Sequence, residues 1–415
     1  MALEAPTITV FITKLPHPDV SIAALGLVAT LSFVIETPVL GLLSTATALV
    51  SDRQHYQMVR NFAYAMMALV TLAAAVFVLT PVFDWATGTL LSVPDAVASA
   101  AKKGMLIMIP WSAGVGFRRY AQGILIRNGI TRPMTIGTAL RLTTMAVMGW
   151  TVLRVTNWSG VQLGCVAWCA GVWVEAVYIQ IVCRPTIRKI ASLTNDGHAK
   201  PPLTLRALLS YHFPLTLANL LWLIARPMFV WALSQGPNPT LNLASLESSN
   251  QLMFLFRASA FALPEAVLAL SSREGSTEAL RRFSIKLGTW ISAIQYLACA
   301  LGIAGVIYIS LLTVPAETAY RAIVILIIIS PVTFLATYQG FLKGRLSYLR
   351  KTSGLTWSIA LHVVSVAAMM LLLVSLGQAK VETVAIAILI ATVAETAFLQ
   401  WYLRVATRQN SLAKQ

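Results

Sequence analysis

The side chains with the most chemical capacity are charges set inside apolar runs. Glu36 lies in Val34-Ile-Glu-Thr-Pro38, just before a proline that frees a backbone carbonyl and kinks a helix. Arg118 and Arg119 are adjacent in Phe117-Arg-Arg-Tyr-Ala-Gln122. Arg226 precedes Pro227, Arg257 sits in Phe254-Leu-Phe-Arg-Ala258, and Glu265 follows Pro264. Glu175 and Glu395, with Gln122 and Gln339, interrupt further apolar stretches. A carboxylate in such surroundings can bind a proton or a cation, and guanidinium groups match carboxylate and phosphate oxygens. Bond-breaking chemistry is not indicated. The chain has no G-x-x-x-x-G-K-[ST] phosphate loop. No nucleophile triad or carboxylate pair stands out, and His17, His55, His198, His212 and His362 form no ligand spacing. No enzymatic activity, cofactor or metal site is therefore expected.

Each intramembrane charge has two readings. Glu36 beside the Pro38 kink serves as a substrate or cation site in a cavity, or it locks a neighbouring helix through a buried pair. Arg118, Arg119, Arg226 and Arg257, with Glu265, line an anion pathway, or the arginines pair with Glu36, Glu175, Glu265 and Glu395 in a structural network. Arg141 shows no evident partner and has no assigned role. Glu175, Glu395, Gln122, Gln339, Pro38 and Pro227 are read as structural or coupling residues. Proton coupling through one of the two glutamates stays open.

The elements that hold these groups follow from composition. The 415 residues are 57% hydrophobic and only 11% charged, against roughly 25% charged in an average soluble domain. Mean hydropathy is +0.75. Apolar runs of about twenty residues recur along the whole length, which suits membrane-spanning helices, and they lack the two-residue alternation of barrel strands. Spans are expected at 21–50, 57–80, 104–126, 132–155, 159–183, 207–233, 242–271, 284–312, 320–342, 354–375 and 381–403. That makes eleven full spans plus an apolar stub at Met1–Phe11. Cys165, Cys169, Cys183 and Cys299 fall in or at the ends of these runs and read as small packing residues.

The net charge is +16, yet nucleic acid is not an expected partner. Twenty of the 31 Lys and Arg residues fall in alternate connectors: 52–60, 127–132, 184–206, 273–286, 343–351 and the tail from Arg404. This bias puts those connectors and the C-terminus on the cytoplasmic side of an inner membrane. No cleavable signal segment is evident at the start.

The connector at 184–206 divides two halves that match at an offset of about 220 residues. Ala48-Leu-Val-x-Asp-Arg53 faces Leu268-Ala-Leu-x-Ser-Arg273, Tyr120-Ala-Gln-Gly123 faces Tyr338-Gln-Gly340, Glu175–Gln180 faces Glu395–Gln400, and Pro6 faces Pro227. The expected organisation is an N-terminal half at 1–190, a linker at 191–206, a C-terminal half at 207–404 and a cytoplasmic tail at 405–415. Each half would be a six-helix bundle, the two parallel, with the first helix truncated unless further residues lie upstream of Met1.

Two parallel six-helix halves, a long kinked helix second in each, and basic cytoplasmic loops resemble the multidrug/oligosaccharidyl-lipid/polysaccharide (MOP) exporter superfamily, which includes multidrug and toxic compound extrusion (MATE) transporters and lipid flippases. Phe213-Pro-Leu-Thr-Leu217, Arg226-Pro-Met-Phe-Val230 and Gly123-Ile-Leu-Ile126 are similar to the progressive ankylosis branch. The resemblance implies alternating access between two bundles, with Glu36 as a position for ion coupling. For that branch it implies export of anions such as pyrophosphate, citrate or nucleotides. The expected partners are membrane lipid, a small anionic or amphiphilic solute and a coupling proton or sodium ion, with the chain a monomer. A lipid-linked saccharide flippase and a non-transporting membrane scaffold are the competing expectations.

Overall fold

The computed structural model describes residues 3–192, 203–271, 276–349, 351 and 353–412. Every regular element among them is helical. The chain divides into two units. The first takes in Thr7–Leu90 and Asp95–Leu223, and with them most of α1; the second takes in the start of the chain up to Pro6, Leu91–Pro94 and the chain from Ile224 onward.

The first unit runs through α1 (Glu4–Ile12), α2 (Pro18–Ile35), α3 (Thr37–Leu40), α4 (Leu42–Leu49), α5 (Arg53–Leu79), α6 (Asp95–Met108), α7 (Trp111–Arg127), α8 (Arg132–Val155), α9 (Gly160–Ser192) and α10 (Leu205–Leu223). The second holds α11 (Ala225–Ser234), α12 (Pro239–Leu270), α13 (Ser276–Ala300), α14 (Ala316–Ile328), α15 (Ser330–Tyr348), α16 (Ser353–Ser375) and α17 (Val381–Leu412). The order repeats: α1 corresponds to α11, α2–α4 to α12, α5 to α13, α6–α7 to α14–α15, α8 to α16 and α9 to α17. A π-helical turn follows in both units, at Trp85–Leu90 and Ile307–Leu311.

Backbone conformation carries the same repeat. Among the described residues, four that are not glycine have positive φ: His17 (55°), Ser92 (51°), Asn238 (51°) and Thr313 (50°). They pair off as His17-Pro18 with Asn238-Pro239, and Ser92-Val-Pro94 with Thr313-Val-Pro315. Each pair opens the same helix of its unit. The left-handed residue turns the chain, and proline starts the next helix, where its missing N–H leaves no bond unmade.

The eleven expected spans are not reached. Seven helices are long and apolar enough to cross a membrane, or up to nine if the bent pairs Ser276–Ala300 with Ile303–Leu311 (69°) and α14 with α15 (46°) each count as one. Two polar stretches account for the shortfall, at the expected spans 104–126 and 242–271. The expected span 21–50 is met by α2, and the chain beyond it is broken at Glu36 and Gly41 into α3 and α4. The expected span 104–126 breaks between α6 and α7, with Lys102 and Lys103 on one side and Arg118 and Arg119 on the other. The helix α12 is continuous, but Asn242, Ser245, Glu247, Ser248, Ser249, Asn250 and Gln251 crowd its first half. The span expected at 207–233 is met by Leu205–Ser234, in which α10 and α11 follow one another and Pro227 sits in the first turn of α11.

The outer faces are apolar. On α5, Leu69, Leu72, Val76 and Leu79 are all exposed, which suits contact with lipid. Inside the second unit, Leu263, Val267, Phe341, Leu342, Leu346, Leu399 and Ala406 form a buried cluster from α12, α15 and α17. At the start of α5, burial alone would raise the Asp52 carboxyl. The His55 amide, the Ser51 hydroxyl and the His55 ring together hold it below its ordinary value. The His55 amide bond, 2.9 Å long, caps the helix.

Candidate functional site

The break after α2 builds the first polar feature. Pro38 has no N–H, so the carbonyl of Val34 loses its helical partner. The Thr37 hydroxyl takes that carbonyl at 2.8 Å. Glu36, in the break, is buried and accepts a hydrogen bond from the Trp111 indole N–H at 2.6 Å. Trp111 opens α7 and packs against Trp168 of α9. Two turns along α7, Arg119 interacts electrostatically with Glu36, Arg118, Arg141 and Glu175. Its Nε is buried without a hydrogen-bond partner.

Glu175 is the hub of the first unit. Its Oε2 accepts from Nη1 of Arg118 at 2.9 Å and lies 3.2 Å from Nε of Arg141. Its Oε1 accepts from Gln122 at 3.2 Å. Helices α7, α8 and α9 are thereby joined through one carboxylate. Arg141, which the sequence left without a role, is one of the largest fully buried side chains. Its spacing gave no signal, because the partner lies on another helix.

The second unit repeats the glutamate but not its partners. Glu395 on α17 lies 2.9 Å from Nζ of Lys343 on α15 and 3.2 Å from Nδ1 of His362 on α16. The imidazole is in ion-pair reach of the carboxylate. Gln339 donates to Thr396 at 3.0 Å and accepts from Lys343 at 3.3 Å. Arg257 on α12 interacts electrostatically with Glu395, meets Met253 Sδ at 3.8 Å and has a buried Nε with no hydrogen-bond partner. Arg226 of α11 lies 3.5 Å from Glu247 of α12. Glu247 was not among the residues the sequence singled out. Glu265 belongs to α12, but its side chain falls outside the described residues.

The structure thus brings Arg118, Gln122 and Glu175 together, sets Arg119 beside them and near Glu36, and gathers Gln339, Glu395 and Arg257 in the second unit. Lys343, His362, Arg141 and Glu247 are the members that sequence spacing did not single out. An ionisable side chain within an apolar run was the available signal for His362.

No family model matches the chain, and no curated protein matches it. Solved structures do. A multidrug resistance MATE family transporter of the MOP superfamily, in an inward-facing conformation, is 14% identical; the match covers 98% of this chain and 96% of that one, with a TM-score of 0.71. A lipid II flippase, MurJ, in an inward closed conformation is 12% identical over 97% of this chain and 85% of that one, TM-score 0.74. A MOP superfamily transporter from Pyrococcus furiosus is 16% identical over 100% and 96%, TM-score 0.64. At these identities the likeness establishes the fold: this chain has the all-helical polytopic membrane fold shared by those transporters.

Proposed function

We propose that this chain is a secondary transporter working by alternating access between its two helical bundles, with a small organic anion or amphiphile as cargo and export as its direction. The observation that supports it most is the full-length agreement in fold with MATE-type transporters. The cargo class rests on charge. Arg119 and Arg257, one in each unit, keep a buried Nε free of hydrogen bonds, and a free guanidinium donor in a low-dielectric setting favours a carboxylate or phosphate oxygen. In this reading Glu36 and Arg119 of the first unit, and Arg226 and Arg257 of the second, are the groups that meet the solute or the coupling ion. Arg118, Gln122 and Glu175 brace those of the first unit, and a proton or sodium gradient drives transport. The location is an inner membrane with the C-terminus cytoplasmic. A cysteine introduced by Asn410→Cys then resists an impermeant thiol reagent in intact cells, and ready labelling there reverses the orientation.

Counterflow tests the transport reading. Proteoliposomes preloaded with citrate or pyrophosphate should take up the labelled form of that anion at least tenfold faster than empty ones. Arg257→Gln should reduce the rate by tenfold or more while leaving the protein monodisperse. Equal uptake with and without preload would remove the anion-exchange reading. The resemblance to the progressive ankylosis branch makes these two anions the first probes.

The likeness to a lipid II flippase supports a second reading, translocation of a lipid-linked saccharide. Anion-independent movement of a fluorescent polyprenyl diphosphate across the same liposomes would favour it. A non-transporting scaffold is the outcome if verified folded protein moves neither.

A further inference from the structure

The two units place a glutamate at corresponding positions, on α9 and on α17, and surround it with different chemistry. Glu175 meets arginines, Arg118 and Arg141. Guanidinium keeps its proton throughout the physiological range, so that cluster has one charge state. Its three side chains are 1%, 5% and 2% exposed. Glu395 instead meets Lys343 and His362. Imidazole is the side chain that ordinarily changes charge between about pH 5 and 8. His362 and Lys343 are 22% and 30% exposed, so this cluster is more open than the one around Glu175. Nδ1 of His362 lies 3.2 Å from Glu395 Oε2, so a proton added there has an acceptor beside it.

We propose that His362, Glu395 and Lys343 form a proton-binding site through which the second unit exchanges a proton during transport, while the Glu175 cluster is a fixed strut. The inference rests on the transporter reading and adds the place where a proton couples to it. A proton from water on one side adds to Nδ1 of His362, where Glu395 Oε2 is the acceptor, and is returned to water on the other side. No bond other than N–H forms or breaks. The charged groups around the imidazole are few. Glu395 comes from α17, Lys343 from α15, and Arg257 of α12 stands in electrostatic reach of Glu395. Arg226, the charged residue of α11, is turned to Glu247, and Arg345 of α15 lies over the Tyr348 ring. Protonating His362 adds a third positive charge beside Lys343 and Arg257 against one carboxylate. The loaded site then attracts an anion more strongly, and by linkage the anion strengthens proton binding equally.

The direct test is the nitrogen spectrum of histidine-labelled protein in lipid nanodiscs, with His362→Gln assigning the signal. His362 should change charge state as the pH of the sample is varied. Glu395→Gln should move that transition down by about one pH unit, and Lys343→Gln should move it up. If Glu395→Gln does not fold, the lysine variant decides alone. A His362 signal that keeps one charge state throughout, or ignores the substitutions, overturns the proposal. In proteoliposomes, His362→Gln should lose tenfold or more of accumulation driven by a pH gradient. Unchanged gradient-driven accumulation also overturns it. Absence of citrate and pyrophosphate flux in the wild type counts against the transporter reading, and the titration still decides the proton site.

Discussion

Glu175→Gln is expected to lose about 3–5 kcal/mol of stability, the usual cost of leaving a buried charge without its counter-ion. Against a whole-fold stability of about 5–15 kcal/mol, that is enough to cut the yield of folded protein severely. The substitution keeps the shape and removes the charge. Arg118 and Arg141 then share a buried site with no anion between them, and Arg119 adds to the repulsion. The slot cannot adjust by moving the side chain away, because even a Cβ on Gly137 would come within 3.1 Å of the Glu175 Cγ. Monodispersity after heating in detergent measures the effect. Adding Arg141→Met should recover part of the loss, because it removes one of the stranded cations. A Glu175→Gln protein that melts with the wild type would show that these charges are neutralised some other way.

Gly123→Val should destabilise the first unit by about 3 kcal/mol, at the upper end of ordinary overpacking. A Cβ at Gly123 would collide with the Leu43 carbonyl oxygen and come within 2.7 Å of the Ala46 Cβ, so α4 and α7 would have to separate. Separation also breaks the 3.1 Å bond from the Thr47 hydroxyl to the Gly123 carbonyl. The second unit uses the same device on the corresponding helix. A Cβ at Gly344 of α15 would sit 2.6 Å from the Pro264 carbonyl oxygen and 2.7 Å from the Val267 Cβ of α12. Gly88→Ala is the control, with nothing within 4 Å of the added carbon. Thermal stability of the three variants should fall for Gly123→Val and Gly344→Val and hold for Gly88→Ala.

What the sequence made legible was what repeats along the chain. Tyr120-Ala-Gln-Gly123 against Tyr338-Gln-Gly340, and Glu175 against Glu395, identified corresponding helices, and α7 with α15 and α9 with α17 bear that correspondence. Two further matches were present but unused: His17-Pro18 with Asn238-Pro239, and Ser92-Val-Pro94 with Thr313-Val-Pro315. Short turn motifs of this kind acquire meaning only with their positive φ. The breaks were harder. Pro38 announced one, but the second interruption at Gly41 had no comparable signal, and polar residues along α12 reduced the count of apolar spans.

Ion-pair partners were the least legible. Arg141 meets Glu175, and His362 meets Glu395, because helix rotation and packing bring together residues far apart in sequence. A charge inside an apolar run signals that a partner exists; the run itself does not say which. The repeat also conceals divergence. The glutamate and the glutamine are kept in both units, while the cations around the carboxylate change from two arginines to a lysine and a histidine.

The measurement that bears most directly on alternating access is two-sided reactivity of a cysteine at the proposed pathway. Arg257→Cys is introduced with Cys165, Cys169, Cys183 and Cys299 replaced by alanine, and the protein is sealed into liposomes of known orientation. Alternating access predicts that an impermeant thiol reagent reaches position 257 from either face, added to one side at a time. Reaction from one face only, however long the exposure, would contradict it.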